Sequence, residues 1–215
     1  DLKITGATSA RYESVDISDR RSLLVLSEKL QAAEYFVDGV LHAAGVEGNK
    51  NITDATWSEF DEVLFANIEG SLALNEAFKT SNWVCYFSSS SAILGDFGAC
   101  SYAIGKRFQM ALAALQEQSG PRHICINWPL WKEGGMAVGN EASTELYLKS
   151  SGQSWLREAE GIKSFEAILR EEQSQALVMM GDESRIHEVL DRKYNPEFNI
   201  QNSVLTSKNS AEKEI

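Results

Sequence analysis

Ser89, Tyr102 and Lys106 are the residues whose types and spacing best support a reaction, and Asn67 offers a fourth polar group. Tyr102 and Lys106 stand four apart in a helical segment, so their side chains share one face. A phenol with an ordinary pKa of about 10 donates its proton poorly at neutral pH unless its anion is stabilised, and a nearby ammonium does this. Lys106 would be that ammonium and Tyr102 the acid. Ser89, thirteen residues before Tyr102, could hydrogen-bond a substrate carbonyl and help hold the alkoxide that develops as hydride reaches carbon. Asn67 could keep a water beside Lys106. The hydride itself must come from a cofactor, because no side chain supplies one. Taken alone, the Tyr-x-x-x-Lys pair equally suits a packed tyrosine beside a solvated lysine; Ser89 and Asn67 give it direction.

These groups need a scaffold that brings them together. Short β-branched or aromatic runs alternate with longer helical patterns, which predicts an α/β architecture: a Rossmann-like, doubly wound parallel sheet with helices on both faces. A first strand is expected at Ala10 to Asp16, followed by a helix with Leu23, Leu24, Leu26 and Leu30 on its apolar side and Ser18 as N-cap. Phe36 to His42 reads as a second strand running into Ala43-Ala44-Gly45. A helix from about Thr56 to Lys79 follows, with Trp57, Phe60, Val63, Leu64, Ile68 and Leu72 as its core stripe. The apolar run Trp83 to Phe87 ends in four serines, Ser88 to Ser91, at the strand edge where ligands of open parallel sheets bind. A helix from about Ser101 to Glu117, a strand from His123 to Trp128 ended by Pro129, a helix near Ile162 to Glu172, a strand Ala176 to Met180 and a helix Glu183 to Leu190 complete the pattern. Between them, residues 131–157 hold Gly134, Gly135, Gly139 and Gly152 among a few apolar anchors and read as a lid. Residues 1–190 form the expected domain; 191–215 are polar and aperiodic, as in a linker or tail.

Composition narrows the function. With 215 residues, 43% of them apolar, the chain can bury one sizeable core. A formal charge of −11 excludes a basic nucleic-acid-binding face. The absence of an apolar run of about 20 residues argues against a membrane span, and the start Asp1-Leu2-Lys3-Ile4 against a signal peptide, so a cytoplasmic protein is expected. Cys85, Cys100 and Cys125 form no CxxC pair, and His42, His123 and His187 no metal-binding pattern. No metal is expected. The chain also holds no GxGxxG, although a dinucleotide-binding sheet normally opens on such a turn so that the backbone can approach a pyrophosphate. Ala43, Ala44 and Gly45 are small enough to admit a sugar or a planar ring, and equally small enough for ordinary tight loop packing.

Over residues 10–190 the chain resembles the ketoreductase domain of modular polyketide synthases, particularly of the trans-acyltransferase type, within the short-chain dehydrogenase/reductase superfamily. The resemblance rests on His42-Ala43-Ala44-Gly45-Val46, Phe87-Ser88-Ser89, Ser101-Tyr102-Ala103-Ile104-Gly105-Lys106-Arg107-Phe108, and Asn127-Trp128-Pro129-Leu130-Trp131 with Gly134-Gly135-Met136. The last segment is the most specific, since free-standing short-chain reductases usually carry a Pro-Gly turn there. The resemblance implies NADPH-dependent reduction of a β-ketoacyl thioester, held through phosphopantetheine on an acyl carrier protein, inside a larger synthase whose other domains are partners. Ser89 and Tyr102 match the family's catalytic serine and tyrosine, with Lys106 and Asn67 completing the set. Asp16 and Ile17 match positions flanking the adenine, Ala43, Ala44 and Gly45 the ribose side, and Pro129 and Leu130 the nicotinamide; Trp131 and Met136 belong to the substrate lid. Many ketoreductase domains exchange the lysine and asparagine, whereas this chain keeps the short-chain dehydrogenase order. Glu47-Gly48-Asn49 replaces a Leu-Asp-Asp motif associated with one alcohol configuration, which leans toward the L-hydroxy (A-type) product; the tryptophan that marks the opposite class is also missing, with Leu94 in its place. The family's glycine-rich unit is expected upstream in the natural polypeptide, leaving the 215 residues poor at binding cofactor. A free-standing reductase or epimerase and a catalytically silent structural domain remain the alternatives.

Overall fold

The computed structural model describes residues 7–133 and 141–194, apart from 47, 49, 97 and 116–119. Its centre is a parallel sheet in the order β1 (Gly39–His42), β2 (Trp83–Ser89), β3 (Arg122–Trp128), β4 (Gln175–Leu177). Every strand pairing is parallel, with Val84 opposite Val40 on one side and His123 on the other. Because alternate residues of a strand point to opposite faces, β2 and β3 divide their side chains between two cores. Val84, Tyr86 and Cys125 pack on one face against Leu112 and Ala113 of helix α5 (Cys100–Leu115). Cys85, Ile124, Ile126 and Trp128 pack on the other against Leu156 and against Phe165, Ile168 and Leu169 of α7 (Glu158–Arg170). Several of these side chains are fully buried, each stabilising the fold by roughly 1.5–3 kcal/mol before entropy is counted. A third cluster joins Leu23 of α1 (Arg20–Ala32) to Ala73, Leu74 and Ala77 of α3 (Glu69–Ala77).

The expected α/β class is therefore present, with corrections in detail. Residues 10–16 are not a strand. A strand exists only through a ladder partner, and none lies beside this segment among the described residues; Val15 and Ile17 instead pack on the α1–α3 cluster. The second strand begins at Gly39 rather than at Phe36, which is 93% exposed. The cap of α1 is Asp19, not Ser18: its carboxylate accepts from the Arg21 and Ser22 amides at 3.0 and 3.2 Å. Ser18 donates to Asp16 instead.

The single helix expected from 56 to 79 is two, α2 (Trp57–Asn67) and α3, bent at Ile68. Thr56 and Glu59 start α2 with a reciprocal capping box. The bend has a cause in the side chains: Asn67 Nδ2 donates to Val63 O at 2.8 Å and Ser71 Oγ to Asn67 O at 2.5 Å. Such bonds to the carbonyl four residues back compete with the helix ladder and bend it. The expected core stripe shifts accordingly, with Trp57 80% and Leu72 43% exposed while Asn67, Gly70 and Ser71 turn inward. The remaining elements are α4 (Ser91–Leu94), α6 (Glu141–Ser151) and α8 (Glu183–Tyr194). The last runs to Tyr194, past the end expected at Leu190; residues 195–215 are outside those described. No described helix is long and apolar enough to cross a membrane.

Asp19→Ala should lower stability by about 1 kcal/mol in a denaturant titration, with Ser18→Ala costing clearly less. Equal losses would mean that the cap is misassigned.

Candidate functional site

Three segments lie at the C-terminal ends of adjacent parallel strands, on one edge of the sheet: Ala43-Ala44-Gly45 after β1, Ser89-Ser90-Ser91 at the end of β2, and Pro129-Leu130 after β3. Ala43, Ala44 and Gly45 are exposed, Pro129 is buried and Leu130 is half-buried. The first two turns of α5 bring Tyr102 and Lys106 to the same edge, with the Lys106 ammonium 5.4 Å from the Tyr102 ring centroid.

Lys106 is 2% exposed, and its Nζ donates to Phe87 O at 3.0 Å and to Gln109 Oε1 at 3.3 Å. Burial pushes its pKa down to about 8, against a smaller opposing influence from Cys125. Asn67 at the end of α2 is wholly buried, and its Oδ1 has no hydrogen-bond partner. A Cβ on Gly45 would lie 3.8 Å from Lys106 Nζ and 3.9 Å from Asn67 Oδ1, so the glycine opens directly onto both polar groups. Gly105 places Asn67 there: a Cβ at 105 would come within 2.8 Å of the asparagine's Cβ and 3.0 Å of its Cγ. Only a glycine on α5 lets α2 approach so closely.

Ser89 Oγ accepts from the Ser91 amide at 3.2 Å and from Ser91 Oγ at 2.9 Å. Two accepted bonds leave its own O–H to donate. The next residue ties this turn to α6, since Ser90 Oγ and Tyr147 OH are 3.1 Å apart and Gln153 Nε2 donates to that phenol at 3.1 Å. The expected lid is thus in part a helix latched to the serine turn. Its anchor is Trp131, whose ring lies 5.1 Å from that of Trp128 and over Gly161 of α7. Met136, like Gly134, Gly135, Gly139, Glu47 and Asn49, lies outside the described residues.

Of the more distant expected residues, Asp16 is exposed and accepts from the Ser18 hydroxyl and amide, which hold its carboxyl below the usual range. Ile17 rests on Gly70, where a Cβ would be 3.2 Å from its side chain. Sequence reasoning assigned no role to Gly105, Gln109, Ser71, Tyr147 or His42. A signal existed for Gln109, a polar residue in the buried α5 stripe with Gly105, Leu112 and Ala113. His42 is 1% exposed with neither ring nitrogen hydrogen-bonded. Burial, then the Lys106 charge, pushes its pKa down to about 4; the Ala66 backbone offsets part of this without forming a bond of ordinary geometry.

A parallel α/β sheet carrying a tyrosine and a buried lysine at its C-terminal edge defines a Rossmann-like oxidoreductase class. The KR domain family model matches residues 2–133. The polyketide synthase PksM of Bacillus subtilis (strain 168) is 43% identical over 193 residues, 88% of this chain and 4% of its own length. ThaG of Burkholderia thailandensis, also a polyketide synthase, is 31% identical over 84% of this chain and 3% of its own length. A ketoreductase domain from the bacillaene assembly line superposes with a TM-score of 0.80 at 31% identity, covering 88% of this chain and 47% of that one. The ketoreductase from the first module of phoslactomycin biosynthesis in Streptomyces sp. HK803 gives 0.77 at 30% identity, covering 86% and 43%. The chain belongs to the KR domain family, the ketoreductases of polyketide synthases, and so to a class that uses a nicotinamide cofactor. It spans less than half of these solved ketoreductases and a few per cent of the synthases. The buried Asn67 Oδ1 without a hydrogen-bond partner, beside Lys106 and the side-chain-free Gly45, fits a site that takes in a polar group such as a nicotinamide cofactor carries.

Two outcomes follow. Gly105→Ala should lower stability by about 1–2 kcal/mol in thermal or chemical unfolding, because overpacking against Asn67 outweighs the roughly 1 kcal/mol gained in helix propensity; a stabilised variant would disprove the close α2–α5 contact. For His42, the unfolded imidazole takes up a proton near pH 6.5 and the folded one only near 4. Stability is therefore full above about 6.5 and falls as pH drops toward 4, by at most about 3 kcal/mol. His42→Gln should flatten this slope in denaturant titrations between pH 7 and 4.5.

Proposed function

We propose that this chain carries out the NADPH-dependent reduction of a β-ketoacyl thioester, presented by an acyl carrier protein on its phosphopantetheine arm, to the β-hydroxyacyl thioester. The observation that carries this reading is the buried Lys106 ammonium under the Tyr102 ring, next to the opening shared by Gly45 and Asn67. Tyr102 gives its phenolic proton to the carbonyl oxygen, and the Lys106 charge stabilises the phenolate that remains. Ser89 donates its O–H to the same oxygen and holds the developing alkoxide. Asn67 Oδ1 accepts from a water that returns a proton to Tyr102 by way of Lys106. When bound, the cofactor supplies the hydride to the carbonyl carbon. Lys106, Ala43, Ala44 and Gly45 would hold its ribose, Pro129 and Leu130 its nicotinamide, and Asp16 and Ile17 its adenine. The acyl chain enters beneath the lid of residues 131–157. A hollow of about 310 Å³ under α6, lined by Leu94, Gly95, Asp96, Tyr147 and Ser151, supports that path. The absence of the Leu-Asp-Asp motif, with Glu47-Gly48-Asn49 in its place, leans the product toward the L configuration.

We infer also that a glycine-rich βαβ unit of the synthase completes the cofactor site at the open edge of β1. No glycine-rich turn occurs in these residues, and Leu41 of this edge strand is 50% exposed although parallel sheets are normally covered. The test follows NADPH oxidation at 340 nm with a β-ketoacyl thioester, using a synthase segment that joins this chain to its upstream unit. Tyr102→Phe should slow the reaction by about 10²-fold or more while NADPH binding persists. Equal rates would sink the mechanism, and no turnover in the unaltered segment would favour a silent structural domain. The 215-residue chain alone should bind NADPH weakly; tight binding would overturn the divided cofactor site.

A further inference from the structure

We propose that Gln109 is the positioning residue for Lys106, fixing the ammonium between the end of β2 and the opening at Gly45. Gln109 is fully buried one turn beyond Lys106, and both ends of its amide are engaged. Its Oε1 accepts from Lys106 Nζ at 3.3 Å, while its Nε2 donates to Ser71 Oγ at 3.2 Å. Ser71 in turn donates to Asn67 O at 2.5 Å. The chain of donors has one workable direction: a flipped amide would aim N–H at an ammonium that has only donors.

The anchoring matters because a lysine is a point charge on a flexible four-carbon stem. Phe87 O by itself gives Nζ one acceptor, about which the group can swivel. Gln109 Oε1 supplies a second, and two fixed acceptors direct the third N–H into the space beside Asn67 Oδ1 and Gly45. Among the described residues no carboxylate pairs with Lys106. The titratable groups that face it are His42 from β1, Cys125 from β3 and Tyr102 on its own helix. None is an anion at neutral pH by its ordinary chemistry, so the neutral amide joins Phe87 O in fixing the place of this lysine, while burial lowers its pKa. The same bonds run through Ser71 to the bend that holds Asn67, so one side chain aligns both polar groups at the opening.

The placement of Lys106 stands by itself; its consequence for catalysis rests on the proposed ketoreduction. Titrating lysine side-chain NMR signals of the 215-residue chain separates the two, because no cofactor is needed. In the unaltered chain the Lys106 midpoint is expected near 8. Gln109→Leu should move it down and Gln109→Glu, which supplies an anionic partner of the same shape, should move it up, each by about one unit. In the cofactor-loaded synthase segment Gln109→Leu should lower kcat about tenfold with the KM for NADPH nearly unchanged. The alkaline fall of kcat should follow the NMR midpoint in each variant. If Gln109→Leu does not fold, the isosteric Gln109→Glu decides: a midpoint equal to that of the unaltered chain overturns the assignment. A lower kcat with unmoved midpoints does so too. Shifted midpoints in a segment with no turnover would support the Gln109 assignment while sinking the ketoreductase reading.

Discussion

A charged ammonium buried to 2% exposure is the constraint on which this structure turns. Burial lowers the Lys106 pKa from 10.5 to about 8, which disfavours the ammonium by on the order of 3 kcal/mol once its surroundings are counted. Its hydrogen-bond partners are carbonyl oxygens rather than a counter-charge. Phe87 O, at the end of a central strand, and Gln109 Oε1 are both fixed by the fold before any substrate arrives. A carboxylate in their place would have paired with the ammonium as a counter-charge. Neutral acceptors leave the charge available.

Several otherwise unrelated features follow from keeping this group in place. α5 must lie against both β2 and α2, so Gly105 has no side chain and Asn67 fills the space. α2 must bend at Ile68, so Asn67 and Ser71 spend their side chains on carbonyls one turn back. Around the bend the buried stripe is consequently polar and small, Asn67, Gly70 and Ser71, where a core helix would ordinarily be aliphatic. Trp57 and Leu72, the residues that a simple apolar stripe selects, face outward as a result.

The sheet edge and the lid show the same division of labour. Parallel strands deliver three segments to one side, which explains how residues 45, 89 and 130 come to the same edge of the sheet. The Ser90–Tyr147–Gln153 bonds then join the serine turn to α6. Membership of the KR domain family accounts for the shared scaffold and motifs. The particular hydrogen-bond path through Gln109 and Ser71 is a property of these side chains.

The sequence by itself determined the α/β class, the helix that aligns Tyr102 with Lys106, and the serine run at the end of β2. Each depends on local periodicity: two residues per strand repeat, 3.6 per helical turn, and a four-residue spacing that sterics enforce. It also contained the family motifs around His42, Tyr102 and Trp128. Only the tertiary structure decided that residues 10–16 lack a strand partner, that Asp19 rather than Ser18 caps α1, and that Trp57 is solvent-facing. The same holds for the orphaned Asn67 Oδ1, the need for Gly105 and the grip of Gln109 on Lys106. These depend on which elements lie side by side and how closely, a matter of contacts between residues distant in the chain, for which a one-dimensional pattern carries no term.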